Sequence, residues 1–224
     1  MVAKSVTVIF TTSPCRSDPD LLMLRKTFAS LSLAGLAGCR KLLVCDHFDV
    51  GTTNNSSREH GGRLPQENVD RYRARLASLK MVGWASAIEI IELDHWHGFG
   101  LACRAALQLV LTPLVFVVQH DMAFKRSMAM EPLVRVLRQQ ITDTSEQQGA
   151  ATETVNYICM LKTSTVNYCH RAHSRHKLDV GAPVPFRIGG TGGEDAEASV
   201  VHLIRLPQFF DCMHLARVDW YREF

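Results

Sequence analysis

The chain has 224 residues, 46% of them hydrophobic and 21% charged, with a formal net charge of +3 and ten further histidines. That length suits one sizeable core, so a single domain over residues 1–224 is expected, and the composition excludes wholesale disorder. The mild positive balance suits an anionic small ligand and falls well short of a nucleic-acid footprint, so no nucleic acid partner is expected.

Val6 to Phe10, VTVIF, is a β-branched run stopped by Thr-Thr-Ser-Pro, the pattern of a buried strand and its exit loop. Asp18-Pro19-Asp20 offers a cap and a first-position proline to a helix through LLMLRKTFASLSLAGL. Leu21, Leu24, Phe28 and Leu31 share one face of it and Gly38 closes it. KLLVCD follows as a second strand, and strand-helix-strand with short links predicts a parallel pair with a right-handed crossover. Gly51 to Gln66 is rich in Gly, Asn and Ser and reads as a surface loop, after which helix returns over Glu67 to Lys80. Ala87 to Leu93, AIEIIEL, alternates as a partly exposed strand does. The loop DHWHGFG leads into a helix over LACRAALQLVL, which Thr-Pro ends before the most apolar strand, Leu114 to Asp121. A helix around Glu131 to Gln140, a polar link and a strand in NYICMLK come next. Residues 167–193 fit no regular element, and residues 206–224 read as a loop feeding a short helix.

Alternating strands and helices predict a three-layer α/β/α sandwich with a mostly parallel central sheet. Ligands in such sheets lie beyond the carboxyl ends of the strands, which points to Thr11 to Pro14, Asp46 to Asp49, Asp94 to Gly100 and Gln119 to Phe124. The sharpest feature there is the apolar strand that breaks into Gln119-His120-Asp121, where oxygen and imidazole ligands can hold Mg²⁺ or Mn²⁺ against a diphosphate.

VCDHFD after strand-helix-strand, then GFGLACRAAL, then a central strand ending x-x-Asp, then FFDCMHLAR-x-DWY, together resemble the GT-A glycosyltransferases. The likeness is greatest to a glycosyltransferase-like group of microbial and algal proteins with a QHD-type motif, and it spans nearly the whole chain. The resemblance implies transfer of a sugar from a nucleoside diphosphate donor, UDP- or GDP-linked, to an acceptor hydroxyl, with Mn²⁺ or Mg²⁺ as cofactor. It places the metal and diphosphate at Gln119, His120 and Asp121, with Asp121 as the principal metal ligand; Gln119 departs from the acid-x-acid pattern. Asp46 matches a carboxylate that contacts the base or ribose, and equally fits a loop aspartate capping the next turn. Thr11 and Thr12 match the first-strand loop against the nucleotide, with Arg16 close by, and Gly98, Gly100 and Arg104 match a glycine-led helix whose basic side chain approaches the diphosphate. Asp211 matches a general base, and His214 a base or metal ligand; both also fit a capped final helix with His214 and Arg217 on its solvent face.

His170, His173 and His176 alternate with Arg171, Arg175 and Lys177, which would repel a cation, so no metal is expected there. The seven cysteines include no C-x-x-C pair and most sit in apolar runs. They are expected to be reduced and buried in a cytoplasmic or otherwise reducing compartment, without a disulfide frame. No stretch approaches the ~18 uninterrupted apolar residues of a membrane span, and no targeting signal is visible. The end at Glu223-Phe224 suggests a minimal or truncated enzyme. A catalytically inactive GT-A-like binding or scaffold module is the alternative. A nucleotidyltransferase ranks last because TTSPCRSDPD lacks a glycine-rich loop.

Overall fold

In the computed structural model the described residues are 2–15, 20–47, 66–81, 88–143, 155–160, 170, 173–174, 177, 179–188, 199–204 and 212–223. A short helix α1 (Val2–Ser5) precedes β1 (Val6–Thr12), and α2 (Leu22–Ser30) leads through a 3-10 turn (Leu31–Ala34) to β2 (Arg40–Cys45). Then come α3 (Gln66–Met81), β3 (Ile88–Glu92), α4 (Gly98–Leu107), β4 (Leu114–Gln119), α5 (Met130–Asp143) and β5 (Tyr157–Cys159). A separate hairpin of β6 (Val184–Ile188) and β7 (Ser199–Leu203) precedes β8 (His214–Arg217) and α6 (Val218–Tyr221).

The main sheet has the order β3-β2-β1-β4-β8-β5. Pairings β1–β2, β1–β4 and β2–β3 are parallel, while β8 runs antiparallel to both β4 and β5. Every strand but β8 therefore points the same way, and the carboxyl ends of β3, β2, β1 and β4 form one edge.

Strand periodicity of two explains the layers. Val6, Val8 and Phe10 of β1, Leu43 and Cys45 of β2, and Leu114, Phe116 and Val118 of β4 join one core with Leu24 of α2, Tyr72, Leu76 and Leu79 of α3 and Val134 and Leu137 of α5. The alternate residues Ile9, Leu42, Val44, Val115 and Val117 join a second core with Ala102, Cys103, Ala106 and Leu107 of α4 and Tyr221 of α6. Two helical layers thus flank the sheet as the sequence predicts, and each fully buried Leu, Ile or Phe contributes about 1.5–3 kcal/mol of transfer free energy. The edge strand β3 has no fully buried residue, in keeping with its alternation.

Several boundaries differ. The helix expected from Asp18-Pro19-Asp20 starts at Leu22, and Leu21 at its cap makes no side-chain bond. Asp20 instead pairs across to Arg71 at 2.5 Å and Arg75 at 3.3 Å on α3. Gly35 stops the first helical segment, taking a left-handed φ of 66° that Gly38 was expected to supply. Gly98 to Gly100 lie in the first turn of α4 and not in the preceding loop. β6, β7 and β8 are strands that the sequence reading did not find. Cys159 and Cys212 are joined in a disulfide with Cα atoms 6.8 Å apart, which corrects the reading of all cysteines as reduced. Cys39, Cys45 and Cys103 are buried and form no disulfide, as expected. No helix among the described residues is long and apolar enough to cross a membrane.

Candidate functional site

The chain leaves β2 toward α3 on one face of the sheet and leaves β3 toward α4 on the other. Neighbouring strands whose exits diverge open a crevice between them, and open α/β sheets bind ligands at such points. A small cleft, open to solvent, lies there. Its walls include Pro14 after β1, Asp46 and His47 after β2, Glu92 of β3, and Tyr72 and Arg73 of α3.

Asp46 is buried at this edge. Its Oδ1 accepts the His97 N–H and its Oδ2 accepts the Gly98 N–H, both at 2.8 Å. Those amides belong to the start of α4, whose other capping is poor: His97 makes no side-chain cap bond. A carboxylate on two otherwise orphan N–H groups also meets the positive end of the helix dipole. Asp46 is thus a cap, as one of the two sequence readings has it, although the helix it caps lies 51 residues onward and not in the next turn. Backbone bonds stitch the rest of the edge: Asp46 N–H to the Thr12 carbonyl at 2.8 Å, Leu93 N–H to the Cys45 carbonyl at 3.0 Å, and His120 N–H to the Thr11 carbonyl at 3.1 Å.

Thr11 and Thr12 are both buried, and alternation points them to opposite faces of β1. Tyr72 comes up against Thr12 and Cys45 from α3, yet among the described residues its buried hydroxyl has no hydrogen bond of proper geometry. Burial, followed by the nearby Cys45, holds that phenol well above its ordinary pKa, so it stays an O–H donor. Sequence reasoning passed over Tyr72, which reads there as one more apolar position of an amphipathic helix.

At the end of β4 the chain turns sharply, with the Met122 N–H on the Gln119 carbonyl and the Thr27 hydroxyl on the His120 carbonyl at 2.7 Å. His120 is half-buried and Asp121 is exposed at the tip of the turn. β1 separates β2 from β4, so the ends of those strands stand two strand spacings apart, ~10 Å, with Asp46 directly after one and Asp121 two residues after the other. The structure thus brings Thr11, Thr12, Asp46, His120 and Asp121 to one edge.

Two candidates do not join them. Arg104 sits exposed on α4, six residues past its first, with its Cα ~9 Å along the axis from the end facing the crevice. His214 is fully buried within β8, where it pairs with Val117, and not on the solvent face of a helix. Its Nδ1 donates to the Cys212 carbonyl at 2.7 Å, which leaves Nε2 to accept the Tyr221 hydroxyl at 3.0 Å. Burial lowers its pKa to about 4. A neutral imidazole with both nitrogens engaged in the core can act neither as base nor as metal ligand, which corrects that assignment. Asp211 and Arg16 lie outside the described residues.

The loop joining β3 to α4 carries a group that the sequence reading placed in the crevice but gave no role. Asp94, His95 and His97 each offer one ligand atom, all within 4.8 Å of one another, and among the described residues they are the only such group of three or more His, Cys, Asp or Glu. Asp94 Oδ1 lies 2.7 Å from His95 Nδ1, and the two imidazoles stack with centroids 3.9 Å apart. The D-H-x-H spacing is the signal that could have found them.

No protein-family model matches the chain, and no curated protein matches it. Among solved structures it is similar to the mannosyltransferase PcManGT from Pyrobaculum calidifontis in complex with GDP-Man and Mn²⁺, at 13% identity over 73% of this chain and 37% of that one, with a TM-score of 0.41. It is also similar to S. aureus TarS 1-349, at 14% identity over 61% and 33% of the two chains and a TM-score of 0.36. A third likeness is to a CMP:2-keto-3-deoxy-manno-octonic acid synthetase complexed with CTP, at 11% identity over 98% and 76% and a TM-score of 0.44. The chain thus spans about a third of the length of the first two, and at these distances the roles of its residues rest on its own geometry.

Proposed function

We propose that the chain is a nucleotide-sugar-dependent transferase, a glycosyltransferase built on one GT-A-like unit over residues 1–224. The observation that carries this reading is the cleft between the diverging ends of β2 and β3, lined by Tyr72 and Asp46, with Asp121 past the end of β4 on the same edge of the sheet. A nucleoside would enter the cleft, with the Tyr72 hydroxyl as hydrogen-bond donor to its polar edge and Asp46 setting the cleft floor through α4. The diphosphate would run over the ends of β1 and β4, past Thr11, Thr12 and His120.

Asp121 would be the protein's ligand to Mn²⁺ or Mg²⁺ at the diphosphate. One exposed carboxylate fits a cation that takes its other ligands from phosphate and water, and such a cation neutralises charge on the leaving phosphate. The chain enters β8 near the carboxyl end of β4, since Val117 pairs with His214, and Asp211 lies three residues before His214 in the sequence. Asp211 is the general base of this proposal, taking the proton of the acceptor hydroxyl.

Gln119 in place of an acid favours one second reading, a binding module that has kept the cleft and lost turnover. Calorimetric titration of UDP and GDP, each with and without Mn²⁺, tests the proposal. One of the two should bind, and Asp121→Asn should lose the Mn²⁺-dependent part of the affinity, at least tenfold. Equal affinity in the variant removes the metal role, binding without sugar transfer to any hydroxyl acceptor selects the second reading, and no nucleotide binding overturns both.

A further inference from the structure

The loop between β3 and α4 is held unusually firmly for a surface connection. Its start is fixed by Leu93 N–H on the Cys45 carbonyl, and its end by the amides of His97 and Gly98 on the Asp46 carboxylate. Between these anchors the imidazoles are already oriented. A carbonyl only accepts, so the 2.7 Å contact from His97 Nδ1 to the His95 carbonyl puts the proton on Nδ1 and the lone pair on Nε2. A carboxylate likewise only accepts, so Asp94 at 2.7 Å from His95 Nδ1 sets the same tautomer there. Imidazoles that bind metals are held in this way, with one nitrogen donating to a carbonyl or carboxylate and the other presenting its lone pair.

We propose that Asp94, His95 and His97 form a binding site for one zinc-class divalent cation at the rim of the β2–β3 cleft. Two imidazoles and a carboxylate suit Zn²⁺ and its first-row neighbours, whereas Mg²⁺ and Ca²⁺ select oxygen ligands. Ligand atoms ~2.0–2.1 Å from a tetrahedral zinc stand roughly 3.3 Å from one another, so the group must close from within 4.8 Å. That closure turns the side chains of Asp94 and His95, 86% and 64% exposed, and exchanges the Asp94–His95 hydrogen bond for coordination of the cation, while His97, at 21%, is the fixed member. Three protein ligands leave the fourth position open to water or to an anionic oxygen. The site uses none of the residues assigned to the diphosphate, so it stands or falls apart from the transferase reading.

Zinc titration of the metal-stripped full chain by calorimetry, with Co²⁺ visible absorption as a second probe, tests the site. One equivalent should bind and raise Tm. His95→Ala and His97→Ala should each weaken binding by at least 100-fold and abolish the Tm rise, while their metal-free Tm and circular dichroism certify the fold. His95 is exposed, so its variant remains informative should His97→Ala disturb the start of α4. A His170→Ala/His173→Ala/His176→Ala variant should bind as the wild type does. Retention of the zinc equivalent in His95→Ala, its loss in the 170–176 variant, or no binding below millimolar zinc would each overturn the site.

Discussion

Asp46 invites a test that separates its two readings, because a cap and a nucleotide contact fail differently. In Asp46→Asn one amide oxygen can still accept from His97, while the new NH₂ group confronts the Gly98 N–H donor, or the reverse. The substitution removes one charge-assisted hydrogen bond, of the kind that contributes about 1.5–3 kcal/mol, and reduces the other to neutral strength. It also removes a negative charge from a helix N-terminus, about 0.3–1 kcal/mol more. The expected loss is about 2–4 kcal/mol, or roughly 4–16 °C in Tm for a chain of this size. Asp46→Ala leaves both amides orphaned and should cost about 3–5 kcal/mol. Urea unfolding followed by far-UV circular dichroism, without nucleotide, measures both. A loss below about 0.5 kcal/mol in Asp46→Asn is the range of an ordinary surface change and would refute the cap. If that small loss came with a large fall in nucleotide affinity, Asp46 would be the base or ribose contact after all.

Tyr72→Phe should leave the unliganded protein as stable or up to about 1 kcal/mol more stable, since it removes a buried hydroxyl without a partner, and should weaken nucleotide binding about tenfold; urea unfolding and calorimetry on the same variant check both halves. His214 makes stability pH-dependent: burial lowers its folded pKa to about 4 from the ordinary 6.5, so the unfolded chain binds the extra proton across that window. Its contribution is present above pH 6.5 and is lost as the pH falls toward 4, about 3 kcal/mol in all. Urea midpoints over this range should fall more steeply in the wild type than in His214→Phe, by that difference. Reducing the Cys159–Cys212 bridge, which closes a sequence separation of 53, should lower stability by about 4 kcal/mol on loop entropy, read as a fall in Tm on adding dithiothreitol.

What the sequence made legible follows the range of the interactions involved. β1, β2 and β4 are runs of β-branched and leucine residues buried on both faces, so composition alone marks them as central strands. α3 shows its apolar stripe at Val69, Tyr72, Leu76 and Leu79. β8 carries His214 and Ala216 in a four-residue strand, and nothing local distinguishes it from the start of a helix. It is a strand because β4 and β5 offer it two ladders, and tertiary pairing overrides weak local preference. His214 followed that misreading: as a helix residue it faces solvent, while as the partner of Val117 it faces the core. The site divides in the same way. The carboxyl edge followed from the alternation of strands and helices, whereas the fate of the Asp46 carboxylate depends on amides 51 and 52 residues away.

The distribution of polar groups along that edge bears on where binding energy can be realised. At the β2–β3 end, Asp46 is already satisfied by two amides and serves to hold the start of α4, so that end is rigid before any ligand arrives. Rigidity of this kind lowers the ordering cost of binding. Among the described residues the buried side-chain group without a hydrogen bond is the Tyr72 hydroxyl, so in the proposed function the gain from a ligand would be concentrated on α3 and not on the carboxylate. At the β4 end Asp121 is exposed and its charge is screened by solvent, so in the proposed function it would discriminate little by itself and gain strength only with a phosphate-bound cation beside it. In the proposed function this asymmetry would have a nucleotide held first by the cleft and only then by a cation at Asp121. Removing Asp121 should therefore lower affinity mainly when Mn²⁺ is present, while removing the Tyr72 hydroxyl should lower it with or without the metal.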